Sequence, residues 1–164
     1  MISYFGGVAL KTLFVYCSAD DILNALCKES VRNKADTYAI ELDGDFDKSP
    51  FSRYFGINRA KRSCGEYRNI DVEQFDKIIL ACDEYMGEVP PEMCAFINDN
   101  NLRYKVIDCL VLGDGRGCRK AIDALRVRVS LSGGTVRNAI GISAKELKKE
   151  SEDILFSVRH RMAV

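Results

Sequence analysis

The chain has 164 residues, a length at which one domain is expected and a core can be buried without disulfide staples. Its 24 Lys and Arg balance its 24 Asp and Glu, so no global charge marks nucleic acid or an anionic membrane as partner. No run approaches the ~18 apolar residues of a membrane span, and one histidine, His160, leaves little for zinc or for histidine-driven nucleophilic catalysis.

Seven cysteines (17, 27, 64, 82, 94, 109 and 118) form an odd set without a Cys-x-x-Cys pair, and several sit in apolar runs. That usage fits buried thiols in a reducing compartment, and a cytoplasmic location is the expectation. The N-terminus, MISYFGGVAL, lacks the charged n-region of a signal peptide. A disordered arm, a tag remnant and a packed lead-in strand all stay open for residues 1–10.

The first strand is expected at Thr12–Cys17, a near-continuous apolar run of the kind covered on both faces of a sheet. A turn, Ser18–Asp21, follows, and then a helix with Ile22, Leu23, Leu26, Cys27 and Val31 inward. Ser18, with Asp21 three residues on, has the pattern of an N-cap. The second strand is Thr37–Leu42. The stretch from Asp43 to Ile70 is too long for a structureless loop, and Ser52–Arg62 within it reads as a short basic helix. Its Arg53, Arg59, Lys61 and Arg62 beside Tyr54 and Phe55 suit an insert packed by its aromatics with its charges in water.

Lys77–Cys82 is the third strand. Pro90-Pro91 opens the next helix, whose Met93, Phe96 and Ile97 have the spacing of a buried face. The fourth strand is Lys105–Leu112, and the loop Gly113–Gly117, GDGRG, leads to a helix striped by Cys118, Ala121, Ile122, Leu125 and Val129. Thr135–Ile142 is the fifth strand. The Ser143–Glu146 capping box opens a last helix, lined inward by Leu147, Ser151, Ile154, Leu155, Val158 and Met162. Apolar strands alternating with amphipathic helices predict an α/β fold, a five-stranded parallel sheet with helices on both faces. Residues 11–164 form one domain on this reading, with the basic insert at about 44–70.

In such a sheet, ligands bind outside the carboxyl ends of the strands, so three loops matter: Ser18–Asp21, Asp83–Pro90 and Gly113–Cys118. Cys17, Cys82 and Cys118 also fall at that edge, where a thiol pair or soft-metal site competes with plain burial, the favoured reading. The acids Asp20, Asp21 and Asp83, with Lys145, raise a second, less favoured reading, a receiver-like Mg²⁺ and phosphoacceptor pocket. It is weakened by Cys17-Ser18-Ala19, which stand where a receiver's acids directly end the first strand.

From about Lys11 to Met162 the chain resembles the flavodoxins, most closely over FDKIILACDEYMGEVPPEMCAF (Phe75–Phe96), with an insert around Phe51–Arg62 like that of some flavodoxin-like proteins. The resemblance implies strand order 2-1-3-4-5 and a role in binding flavin mononucleotide (FMN) for electron transfer, with a redox protein as partner. It also implies the cofactor-contacting positions. Ser18, Ala19, Asp20 and Asp21 stand in the phosphate turn, Tyr85, Met86 and Gly87 beside the flavin ring, and Gly113, Gly115 and Gly117 at its pyrimidine edge.

The family's phosphate turn reads Ser/Thr-x-Thr-Gly-Asn-Thr, whereas this chain has Ser-Ala-Asp-Asp-Ile-Leu, matching only at Ser18. Asp20 or Asp21 serves there as a resident anion. A phosphate about 5 Å from either meets roughly 3 kcal/mol of repulsion per charge pair at an effective dielectric near 20. The expectation is therefore weak or lost FMN binding, with a non-catalytic module binding a flat ligand or a protein as the alternative. No catalytic residue and no metal ligand is expected.

Overall fold

The computed structural model describes residues 10–32, 36–42, 70–143 and 146. The N-terminal arm, the Ser52–Arg62 helix, Cys64, Lys145 and the body of the last helix all lie outside these residues.

Five strands form one all-parallel sheet in the order β2-β1-β3-β4-β5. They are β1 (Thr12–Cys17), β2 (Thr37–Glu41), β3 (Lys77–Asp83), β4 (Val106–Gly113) and β5 (Thr135–Ser143). The helices are α1 (Asp21–Val31), α2 (Pro91–Asp99) and α3 (Gly115–Leu131). The expected parallel α/β sheet and its 2-1-3-4-5 order are both present. The strand order reverses between β1 and β3, which places a crevice at their carboxyl ends.

The central strands are buried on both faces, as their unbroken apolar runs require. One face packs Leu13, Ile78, Leu80, Ile107 and Val111 against α2 and α3, which contribute Met93, Phe96, Ile97, Ala121, Leu125 and Val129. The opposite face packs Phe14, Tyr16, Ile79, Leu110 and Leu112 against Leu23 and Cys27 of α1, with Val31 partly buried at its margin. The side chains of Ile22 and Leu26 lie outside the described set.

Several boundaries move: β4 runs Val106–Gly113 rather than Lys105–Leu112, and β5 extends to Ser143. Asp83 continues β3, since Asp83 pairs in register with Leu112. Leu42 leaves β2 although its amide still donates to the Tyr16 carbonyl at 2.8 Å. Gly115 and Gly117 belong to the first turn of α3 rather than to a loop, because Asp114 is the N-cap and its Oδ1 accepts from the Gly117 amide at 3.0 Å.

A buried ion pair sits inside the sheet. Asp108 of β4 is fully buried. Its Oδ2 lies 2.9 Å from Lys77 Nζ and 3.1 Å from an Arg137 guanidinium nitrogen, and its Oδ1 accepts from Asn138 Nδ2 at 3.1 Å. The carboxylate thereby ties β3, β4 and β5 together beside a register shift at Ile107/Asp108. Removing one partner of a buried ion pair leaves the other uncompensated, at a typical cost of about 3–5 kcal/mol. Asp108→Ala should lower the stability read by urea denaturation by about that amount; a loss within about 0.5 kcal/mol would contradict this account.

Candidate functional site at the carboxyl edge of the sheet

Two adjacent acids at the end of β3 organise the three loops. Asp83 turns toward the loop after β1. Its Oδ2 accepts from the Ala19 amide at 2.9 Å and from Ser18 Oγ at 3.4 Å. Glu84 turns the other way, toward the start of α3. Its Oε2 accepts from the Gly87 amide at 2.6 Å and its Oε1 from the Asp114 amide at 3.2 Å.

The first loop is therefore occupied, by Asp83 together with Asp20. Asp20 Oδ1 accepts from the Leu23 amide at 3.3 Å, so Asp20 caps α1. Ser18, expected as that cap, instead accepts the Asp20 amide on its hydroxyl at 2.9 Å, while its carbonyl accepts from Asn24 Nδ2 at 3.0 Å. Asp21 is exposed in the first turn of the helix, where a carboxylate is favoured by the helix dipole. The acid that lies on the Ala19 amide is Asp83, sixty-four residues away in sequence.

The second and third loops are joined in the same manner. A Cβ at Gly113 would stand 2.3 Å from Glu84 Oε1, and one at Gly117 would stand 2.2 Å from it. These two glycines leave space for a carboxylate that the chain itself supplies. Gly113, Gly115 and Gly117 are thus brought to the predicted edge, yet the Asp114 amide is bonded to Glu84 and the Gly117 amide to Asp114.

Met86 and Gly87 form the two-residue turn of a tight hairpin closed by reciprocal Tyr85–Glu88 backbone bonds. Both have positive φ, 55° and 81°. Glycine adopts that conformation freely, whereas Met86 does so at a cost of order 1 kcal/mol. The aliphatic stem of Lys120 lies against Gly87, 2.4 Å from where a Cβ would be, and its Nζ is 3.7 Å from Glu88. Close approach to Gly87 is real, but the approaching group is Lys120. Met86 projects into solvent and Tyr85 is partly buried beside it.

The thiols at this edge are core. Cys17 and Cys82 are register partners on β1 and β3, and both are fully buried. Cys17 Sγ is 3.9 Å from the carboxylate of buried Glu92. Burial pushes the Cys82 thiol well above its ordinary value, with the Asp83 charge adding to it. Among the described residues no three His, Cys, Asp or Glu side chains converge on a point that would hold a metal ion, and Asp20 and Asp83 are turned to separate backbone partners.

Sequence reasoning placed the three loops correctly but missed Glu84 altogether and weighed Asp83 only with the receiver-like acids. A signal was available: two acids stand at the end of a buried strand, and glycines at 113, ending the neighbouring strand, and 117, just beyond it, offer room for one of them.

No protein-family model matches the chain, and no curated protein matches it. Solved structures do. A flavoprotein from Lactobacillus acidophilus in complex with FMN superposes with a TM-score of 0.63 at 16% identity, over 91% of this chain and 99% of that one. A putative flavoprotein from Bacteroides eggerthii gives 0.61 at 11% identity, over 94% and 99%. A flavodoxin from Streptococcus pneumoniae gives 0.56 at 18% identity, over 93% and 97%. The chain has the flavodoxin-like fold.

Two outcomes test this geometry. Gly117→Ala should displace the Glu84 carboxylate and shift the Gly87 and Asp114 amide resonances together; a change confined to residue 117 would show that the cradle is not shared. Burial raises the Cys109 thiol to about 12, with Asp108 adding to the shift, and raises Cys118 to about 11, with Glu84 and Asp114 adding to it, from an ordinary 9.0. The folded state therefore keeps these protons longer than the unfolded chain. The associated stability is complete below pH ~9 and falls as pH rises toward about 11 and 12. Urea midpoints should decline across that window, and a flat profile would contradict the burial argument.

Proposed function

We propose that this chain is a flavodoxin-fold binding module in which FMN affinity is weak or lost, rather than a standing flavin electron carrier. One observation carries the reading: the Asp83 carboxylate rests on the Ala19 amide, within the turn where the phosphate of a flavodoxin-type cofactor would need backbone donors. The residues present do not fit that phosphate. The amides of Ala19, Asp20 and Leu23 already have acceptors, and two of those acceptors are carboxylates. An incoming phosphate would displace Asp83 and then face it. At about 5 Å and an effective dielectric near 20, that repulsion is roughly 3 kcal/mol per charge pair.

The ring position is closed by the same device, since Glu84 holds the amides of Gly87 and Asp114. What the crevice offers instead is a carboxylate-rimmed surface with Tyr85 and exposed Met86 at its lip, suited to a flat or protein ligand that brings no phosphate. Among the described residues no helix is long and apolar enough to cross a membrane.

The protein as purified should be colourless, without flavin absorbance near 450 nm, and should quench added FMN only weakly. Asp83→Asn keeps an oxygen for the Ala19 amide while removing the charge. Combined with Glu84→Gln it should raise FMN affinity ten- to a hundredfold, the range expected for removing roughly 1.4–3 kcal/mol of repulsion. Asp21→Gly, which removes only an exposed acid, should change affinity far less. Stoichiometric yellow cofactor in the unaltered protein would overturn the reading, as would unchanged FMN affinity in the double variant.

A further inference from the structure

We draw no further inference here: the strongest candidate, the exposed apolar surface patch of Tyr104, Val127 and Leu131 where the turn before β4 meets the end of α3, rests on exposure alone, and nothing in the structure shows what covers it.

Discussion

Two neighbouring carboxylates, Asp83 and Glu84, turn in opposite directions from the end of the central strand and seat themselves on backbone amides of the loops to either side. Exposed amides at the carboxyl edge of a parallel sheet need acceptors. In a nucleotide-binding protein of this architecture the ligand can supply them. Here the polypeptide supplies them from within, and the loops around the crevice are held in place by its own acids. Consecutive residues of a strand point to opposite faces, so two acids in succession can serve two loops where one could not.

That arrangement sits on a core of ordinary construction. β1, β3 and β4 are screened on both faces, by α2 and α3 on one side and α1 on the other. The fold was legible because such strands are nearly all apolar: LFVYC, IILAC and CLVL stand out without any alternation to interpret. The helices showed through the inward stripes of α2 and α3, whose Met93, Phe96, Cys118 and Leu125 are all buried. Boundaries were less legible. Whether Gly115 and Gly117 are loop or helix depends on which residue caps α3, and Asp114 decides that by a single hydrogen bond.

The site was legible in its location and not in its wiring. Ser18, Tyr85, Gly87 and Gly113 do gather at one edge of the sheet, because topology brings the ends of neighbouring strands together. Which acid meets which amide is a matter of side-chain direction across loops far apart in sequence. A sequence read locally assigns Asp20 and Asp21 to the turn that contains them, and the contact from Asp83 across sixty-four residues cannot be seen from either end. The glycines misled in a similar way. Glycine in a loop suggests room for an external molecule, yet at 113 and 117 the room is taken by Glu84 and at 87 by Lys120.

The buried Asp108 also disciplines assembly. Its neighbours on β4, Ile107 and Cys109, face the opposite side of the sheet, among apolar side chains and thiols. Sliding β4 by one position against β3 would carry the carboxylate into that greasy layer, away from Lys77, Arg137 and Asn138. Misaligned sheets, otherwise nearly as oily and as well hydrogen-bonded as the native one, are thereby made expensive. This ionic knot inside a hydrophobic sheet acts as a proofreading mark, admitting a single alignment of its three strands.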